Sequence, residues 1–171
     1  MIKGLKVFLV GMPLCGKSTI GKVVAKKLNF KIIDLDTEII KSENQTIKKI
    51  FELNGEKYFR EIETQLLDSI INKNKSFIMA TGGGTPCFNN NINLINKSGI
   101  SIYIDTPIKK LEKRLINENE RPLLKNNPIQ RKVFDKLYNE RKIYYEKSKF
   151  KVSEDNNTVE AIISIIKKFE S

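Results

Sequence analysis

The sequence predicts an α/β fold with three layers, in which helices cover both faces of a five-stranded parallel sheet. Short apolar segments recur along the chain. Each is followed by a longer segment whose apolar residues are spaced three and four apart, as on one face of a helix. Strands that alternate with helices in this way form parallel sheets, which need helices on both faces because their strands are apolar throughout.

The predicted elements alternate along the whole chain. The candidate strands cover residues 5–10, 31–34, 76–80, 100–104 and 149–152. The helical patterns lie at about 17–28, 37–43, 46–53, 56–73, 89–97, 107–118, 131–146 and 157–169. Thr106 with Pro107, and Asn157 with Thr158, are typical of helix starts. Ligands of such folds bind beyond the carboxyl ends of the strands, so we expect the functional residues there.

Composition is that of a single domain, residues 1–171, with room for a sizeable core. No apolar stretch approaches the ~18 residues of a membrane span, and the first residues do not resemble a signal peptide. We therefore expect a cytoplasmic protein without a membrane partner.

Histidine is absent, which excludes His-based triads and His-based zinc sites. Cys15 and Cys87 do not form a disulfide framework, and a link between them is not expected in the cytosol.

The formal net charge of +11 has two interpretations. A nucleic-acid-binding protein is one, but the lysines are spread over many segments and form no basic arm. A chain-wide bias toward Lys, Asn and Ile fits better, so we expect no nucleic-acid partner. Against this bias the arginines are notable, because a planar guanidinium binds carboxylates and phosphates bidentately. The five arginines are Arg60, Arg114, Arg121, Arg131 and Arg141.

A phosphate-binding pattern follows the first candidate strand. Residues 11–18 read Gly-Met-Pro-Leu-Cys-Gly-Lys-Ser, which matches G-x-x-x-x-G-K-[ST] between a strand and a helix. Backbone N–H groups and the helix N-terminus bind polyphosphate there; Lys17 is expected to reach the β- and γ-phosphates, and Ser18 to ligate Mg²⁺. A Gly-bounded turn with a surface lysine is the alternative. The predicted nucleotide-binding residues of this segment are Gly11, Leu14, Cys15, Gly16, Lys17, Ser18 and Thr19.

Two carboxylates, Asp34 and Asp36, close the second candidate strand. Residues two apart point to the same side if the strand stays extended. Asp36 could then accept a proton from a substrate hydroxyl, while Asp34 could hold Mg²⁺ through water. The alternative is that one of the two caps the helix that follows.

A helix and a glycine run supply further candidates. Arg60 and Glu63 are three residues apart on a predicted helix, where a surface ion pair is one interpretation. The scarcity of arginine favours another, in which Glu63 orients Arg60 toward an acidic substrate. Gly82, Gly83 and Gly84 follow the third strand, where they would let a ligand approach the backbone closely. A simple tight turn is the alternative for this run.

Residues 117–130 are polar, contain two prolines and lack a core-forming pattern. They form either a passive connection or a mobile lid, and their length and Arg121 favour the lid. Arg121 could neutralise charge on a transferring phosphoryl group. Arg141, on the next helix, would open toward the site or be solvated. Arg114 could stack on a base, and Arg131 has no evident role.

Taken together, these residues resemble the shikimate kinase family over essentially the whole chain. The phosphate loop alone is shared by many nucleotide-binding proteins, but its combination with the other segments is far more specific. The matching segments are Asp34-x-Asp36, Phe51 with Gly55-Glu56, Phe59-Arg60-x-x-Glu63, Gly82-Gly83-Gly84, Arg121-Pro122-Leu123-Leu124 and Arg141 with Tyr144-Tyr145.

The resemblance implies the strand order 2-3-1-4-5 of the nucleoside monophosphate kinase group, with a mobile lid at about 117–130. It implies transfer of the γ-phosphate of ATP to the 3-hydroxyl of shikimate, in the chorismate pathway to aromatic amino acids. The partners would be ATP, Mg²⁺ and shikimate, with a substrate-binding segment at about 34–63. We expect a monomer.

The resemblance also implies a role for each matched residue. Asp36 would hold the reacting hydroxyl and act as base, and Asp34 would support Mg²⁺. Arg121 would close over the phosphates and Arg114 would contact adenine. The shikimate-binding residues would be Asp36, Arg60, Gly82, Gly83, Gly84 and Arg141, and the catalytic set Asp36, Lys17 and Arg121.

The phosphate loop departs from the family pattern, Gly-x-x-Gly-[Ser/Ala]-Gly-Lys-[Ser/Thr], at Leu14 and Cys15. We expect Leu14 to need ordinary backbone angles where a glycine can use a positive φ. Cys15, near a helix N-terminus, could be a reactive thiol or a small apolar filler.

Two other functions fit parts of the sequence. A kinase of the same fold could act on gluconate or a nucleoside monophosphate, but two arginines and a neutral glycine wall suit one carboxylate and several hydroxyls. A nucleotide-dependent switch or nucleic-acid-binding protein is the other, although no RNA- or guanine-reading motif accompanies the charge.

Overall fold

The predicted parallel sheet is present, with the strand order that the resemblance implied. A computed structural model describes residues 4–117 and 128–169. Its sheet has the order β2-β3-β1-β4-β5, and neighbouring strands are parallel. The strands are β1 (Lys6–Val10), β2 (Ile32–Asp34), β3 (Phe77–Ala80), β4 (Ile100–Asp105) and β5 (Phe150–Ser153).

Helices connect the strands and cover both faces of the sheet. α1 has the bounds that the apolar spacing predicts, and most other element ends differ from prediction by only a few residues. A short 3₁₀ helix at Thr85–Cys87 was not predicted. The α-helices are α1 (Lys17–Leu28), α2 (Leu35–Glu43), α3 (Ile47–Lys73), α4 (Asn91–Ser98), α5 (Ile108–Asn117), α6 (Pro128–Tyr145) and α7 (Thr158–Lys167).

The central strand β1 contributes to two hydrophobic cores. Its residues alternate in direction, as in any strand. Val7 and Leu9 pack in a core with residues of α1 and α7, whereas Phe8 packs in a second core with residues of α2 and α3. All three are fully buried. This packing fixes the phosphate-binding segment, which follows β1 directly, at the centre of the carboxyl edge.

Two helix predictions need correction. α2 begins at Leu35, two residues earlier than predicted, so Asp36 lies in its first turn rather than on an extended strand. The helices predicted at 46–53 and 56–73 meet within α3 at Gly55, whose non-helical backbone (φ 79°, ψ 173°) needs a glycine.

The predicted lid at 117–130 lies largely outside the described residues, and Arg121 is among those not described. Its two ends are exceptions and are helical, since α5 ends at Asn117 and α6 begins at Pro128. Arg131, which had no predicted role, pairs with Glu112 (Nε to Oε1, 3.4 Å) and so links α6 to α5. In the described residues, no helix is long and apolar enough to cross a membrane.

Candidate active site

A cavity of about 660 Å³ opens at the carboxyl edge of the sheet. It lies where the chain leaves β1, β2 and β3, as expected for this fold class. It brings most of the predicted nucleotide-binding residues together with both aspartates. The lining residues are Pro13, Leu14, Gly16, Lys17, Ser18, Thr19, Ile20, Asp34, Asp36, Thr81, Gly83, Arg114 and Glu154.

The phosphate loop wraps around the ammonium group of Lys17. Lys17 is the first residue of α1, and its Nζ donates to the carbonyl oxygens of Gly11 (2.8 Å) and Met12 (2.7 Å). A Cβ on Gly11 would stand 2.9 Å from both the sulfur of Cys15 and the carbonyl oxygen of Ile104. Gly11 therefore lets the loop pass close against β4.

Leu14 has a backbone that the sequence argument did not anticipate. Its φ is 70°, in the left-handed region, so the expectation of ordinary angles was wrong. The loop keeps the conformation that favours glycine even though a leucine occupies it. Cys15 is fully buried within a hydrophobic core, which favours the filler interpretation. Both Cys15 and Cys87 are free thiols.

Asp34 caps the helix that follows, which was one of the two alternatives, and it also contacts Ser18. Its Oδ1 accepts from the backbone N–H of Thr37 (3.1 Å), which caps α2. Its Oδ2 accepts from the Ser18 hydroxyl at 2.5 Å, so the two side chains meet in the cavity. No group of three or more acidic or cysteine side chains in the described part of the chain could hold a metal. Two hard oxygens nevertheless fit Mg²⁺, which keeps several waters and is completed by substrate phosphates.

Asp36 lies in the same cavity as a partly desolvated carboxyl group. Burial raises its pKa above 3.8, and the carboxylates of Asp34 and Glu63 raise it further, while Lys17 and Arg60 oppose the shift. Burial disfavours the charged form and like charges repel it. The result is a carboxylate with a greater tendency to accept a proton than an exposed one.

Arg60 is held in a buried network beside Asp36. It is 8% exposed, and its Nη1 lies 2.9 Å from an oxygen of Glu63, which is 1% exposed. Its Nη2 lies 3.1 Å from Glu56, and the guanidinium carbon is 4.1 Å from the Phe88 ring centroid. The Thr85 hydroxyl donates to the other Glu63 oxygen at 2.6 Å. The interpretation of Arg60 and Glu63 as a surface ion pair is therefore wrong, because the pair is buried. The geometry agrees with the other interpretation, in which Glu63 orients Arg60.

The three glycines at 82–84 are needed for close approaches within the protein itself. A Cβ on Gly83 would stand 2.6 Å from Cδ of Pro13 in the phosphate loop. A Cβ on Gly84 would stand 2.6 Å from Nη2 of Arg60. A Cβ on Gly82 would stand 2.9 Å from Oδ1 of the Asp36 carboxylate. The run therefore lets the nucleotide and acceptor sides of the site pack against one strip of backbone.

The end of α6 packs on the same strip. The Tyr145 hydroxyl donates to the carbonyl oxygen of Gly83 at 2.5 Å and lies 3.6 Å from the Met12 sulfur. Burial raises the pKa of Tyr145, and it raises that of Cys87 to about 11, while the charge of Arg141 opposes both shifts. Arg141 is therefore close enough to Tyr145 and Cys87 for its charge to act on both groups.

Arg114 reaches the cavity from α5. Its Nη1 donates to the carbonyl oxygen of Leu14 at 2.8 Å, and its Nη2 lies 3.0 Å from Glu154. Lys110 lies 2.6 Å from the other Glu154 oxygen. Burial raises the pKa of Glu154, but hydrogen bonds from Lys110 and Arg114 outweigh it and hold the pKa below its ordinary value. Contact between Arg114 and adenine stays a prediction.

The sequence argument gave no role to several residues of the site. Tyr145 and Glu56 were quoted as matching positions without one. Thr85 and Phe88 carried no signal, because their partners lie more than 20 residues away. Glu154 could have been predicted as a site residue, since it directly follows β5 at the edge of the sheet where ligands bind.

Comparison with known proteins identifies the family. The family model described as shikimate kinase matches residues 13–170. The chain belongs to the shikimate kinase family. A shikimate kinase of Clostridium botulinum (strain 657 / Type Ba4) is 39% identical over 166 residues, which cover 96% of this chain and 95% of that protein.

Crystal structures of shikimate kinases have the same fold. The enzyme from Aquifex aeolicus vf5 has a TM-score of 0.84 at 30% identity, covering 96% of this chain and 98% of that one. The enzyme from Acinetobacter baumannii, in complex with shikimate, has a TM-score of 0.82 at 28% identity, covering 96% and 92%. The likeness in fold therefore extends over nearly the whole chain.

Proposed function

We propose that this protein transfers the γ-phosphate of ATP to the 3-hydroxyl of shikimate, giving shikimate 3-phosphate and ADP in the chorismate pathway. The observation that carries the proposal is that one cavity holds Lys17 and Ser18 of the phosphate loop together with Asp36. A phosphate-binding loop and a partly buried carboxylate at one site suit phosphoryl transfer to a hydroxyl. The printed names of its relatives, and the shikimate bound to the Acinetobacter baumannii enzyme, support the choice of acceptor.

On the nucleotide side, the loop and the start of α1 would bind the phosphates of ATP. Lys17 would neutralise their charge, and the loop N–H groups and helix N-terminus would orient them. Arg114, which lines the cavity, would lie beside the base. Arg121 would close over the phosphates and stabilise charge during transfer.

The Ser18 hydroxyl and the Asp34 carboxylate would hold Mg²⁺. When bound, this ion neutralises charge on the phosphate oxygens as the phosphoryl group moves. Ser18 and Asp34 already contact one another in the cavity, so neither side chain would have to travel far.

On the acceptor side, Asp36 would take the proton of the attacking hydroxyl. Its raised pKa suits this task, because a base works best when its pKa lies close to the working pH. Arg60 and Arg141 would bind the carboxylate of shikimate. Residues 82–84 would form the neutral wall against the ring, since no side chain fits there.

We further propose a monomeric, cytoplasmic enzyme with no nucleic-acid or membrane partner. The lysines that give the chain its positive charge are distributed rather than clustered. Light scattering at micromolar concentration would test the monomer, and a mass of twice 19.7 kDa would contradict it.

An ATP-consumption assay tests the function directly. The purified protein is given Mg-ATP with shikimate, gluconate, AMP, CMP or no acceptor. We expect ADP to accumulate with shikimate alone, and a phosphate ester to appear on its 3-hydroxyl. Turnover with gluconate or a nucleoside monophosphate instead of shikimate would identify that compound as the substrate and contradict the proposal. Hydrolysis without an acceptor would instead support a nucleotide-dependent switch.

A further inference from the structure

Leu14 occupies an unfavourable backbone conformation at the wall of the nucleotide cavity. Its φ of 70° brings the Cβ of an L-residue too close to the following carbonyl oxygen. A residue with a side chain keeps such a conformation only where its surroundings enforce it. Leu14 lines the cavity, and its side chain packs against the hydrophobic core. Some contact must therefore oppose relaxation of this peptide toward negative φ.

Arg114 contacts the Leu14 peptide from a distant part of the chain. Its guanidinium donates to the carbonyl oxygen of Leu14 at 2.8 Å, across 100 residues of sequence. The donor is charged, which makes the hydrogen bond stronger than one between neutral groups. Because the carbonyl belongs to the peptide that follows Leu14, this bond restrains the angle that leads into Cys15 and Gly16.

Glu154 in turn fixes the position of Arg114. Its side chain is only 12% exposed, and one oxygen lies 3.0 Å from Nη2 of Arg114. The other oxygen lies 2.6 Å from Lys110, one turn earlier on α5. Both terminal nitrogens of the Arg114 guanidinium therefore have partners: Nη1 binds the carbonyl oxygen of Leu14, and Nη2 binds the carboxylate of Glu154. A continuous path of contacts joins the residue after β5 to the phosphate loop.

We propose that Arg114, held by Glu154, is a positioning residue that keeps Leu14 in the left-handed conformation needed for nucleotide binding. Without it, Leu14 would relax and rotate the neighbouring peptide, so that the loop N–H groups would no longer converge on a phosphate. This role is distinct from a contact with the base, and it arises because this chain has leucine at a position that favours glycine. The inference rests on the proposed function, since it presumes that the loop binds nucleotide.

A double-mutant cycle separates the two roles of Arg114. Mg-ADP is titrated calorimetrically into the unsubstituted protein, Arg114→Met, Leu14→Gly and the double variant. Methionine keeps an unbranched apolar stem but cannot donate to Leu14. We expect Arg114→Met to weaken ADP binding about tenfold in the leucine background, the scale of one charge-assisted hydrogen bond. With glycine at 14 the loss should shrink to about twofold, because glycine adopts the same φ without penalty.

Glu154→Gln provides a second variant that leaves Arg114 in place. It should weaken ADP binding by about threefold, through a loss of orientation, and Leu14→Gly should suppress this effect too. Arg131→Met is the matched control, because Arg131 is an exposed arginine whose ion-pair partner is Glu112 rather than Glu154. It should leave ADP affinity unchanged. The KM for shikimate should not change in any of these variants.

The outcomes are distinguishable. An equal loss from Arg114→Met in both backgrounds would mean that Arg114 acts by touching the nucleotide, and would overturn the inference while leaving the proposed function intact. Unchanged ADP affinity in Arg114→Met would overturn it as well. Failure of the unsubstituted protein to bind Mg-ADP would overturn the proposed function and this inference with it.

Discussion

The hydroxyl of Tyr145 and the carbonyl oxygen of Gly83 are 2.5 Å apart. This hydrogen bond connects the last residue of α6 to the glycine run at residues 82–84, which lies between the nucleotide and acceptor sides of the site. Tyr145 is fully buried, and its ring packs 5.4 Å from that of Tyr103 on β4. Arg141 lies one turn earlier on the same helix. The bond therefore fixes Arg141 relative to the wall against which shikimate would bind.

Tyr145→Phe should weaken shikimate binding more than ATP binding. The ring still fills its space, but the hydrogen bond that positions α6 is lost. We expect the KM for shikimate to rise about fivefold, with a loss of about 1 kcal/mol in the free energy of unfolding. Steady-state kinetics with each substrate varied in turn checks the difference. Tyr144→Phe is the matched control, since its ring lies over Lys147, and equal behaviour of the two variants would refute the role of Tyr145.

Asp36→Asn should abolish turnover and yet stabilise the protein. The amide cannot accept the hydroxyl proton, so kcat should fall by about 10³-fold or more, while Mg-ADP affinity persists. The folded state binds the Asp36 proton more tightly than the unfolded state, because burial and the neighbouring carboxylates raise the pKa above 3.8. Ionisation therefore costs stability as the pH rises above that value.

Removing this charge should raise the melting temperature at neutral pH, because the folded state no longer has to accommodate the buried carboxylate. The gain should disappear below the ordinary aspartate pKa of 3.8, where Asp36 is protonated in both states. Calorimetry at the two pH values checks it. Turnover close to that of the unsubstituted protein would remove Asp36 from its proposed role as base.

Glu63→Gln should shift the pH dependence of the reaction. As the proposed base, Asp36 would act in its ionised form, so kcat/KM should fall as the pH drops through its raised pKa. Glu63 is one of the carboxylates that raise this pKa. The neutral amide should therefore move the acidic limb of the profile to lower pH. A pH–rate profile of both proteins tests this, and a limb that stays in place would show that the charge of Glu63 does not act on the base.

Arg60→Lys should weaken binding of the acidic acceptor far more than binding of ATP. A lysine has no planar fork, so it cannot pair with Glu56 and Glu63 while stacking on Phe88. We expect the KM for shikimate to rise on the order of tenfold or more, the scale of a lost charge-assisted hydrogen bond, and that for ATP to change little. Arg131→Lys, on the exposed surface, should change neither. Equal effects of Arg60→Lys on both substrates would indicate a purely structural ion pair.

Alanine substitutions at two neighbouring positions of the glycine run should weaken the binding of different substrates. Gly83→Ala would push its Cβ into the Pro13 ring of the phosphate loop, so Mg-ADP affinity should fall most. Gly84→Ala would push against the Arg60 guanidinium, so the KM for shikimate should rise most. Each variant is the control for the other, and effects of about tenfold are expected from overpacking. If both variants weakened the same substrate, the strip would not divide the site as described.

Local patterns in the sequence determined much of the fold and half of the site. The apolar segments predicted each strand of the described sheet, because parallel strands that helices cover carry mostly apolar side chains. The phosphate loop was predicted because its glycines, Lys17 and Ser18 are contiguous and lie between a strand and a helix. Asp36 and Arg60 were found by position and by the rarity of arginine, which also indicated a proton acceptor and a group facing an acidic substrate, and the resemblance identified that substrate as shikimate.

Only the tertiary structure decided how these residues are held. The backbone of Leu14 could not be inferred from its side chain, because the contact that opposes its relaxation comes from Arg114, 100 residues away. Asp34 meets Ser18 of α1, and the glycine run faces Pro13, Arg60 and Asp36 in turn. Such contacts depend on strand order and on packing across the sheet. No local spacing encodes them, since each partner is brought into place by a different element of the fold.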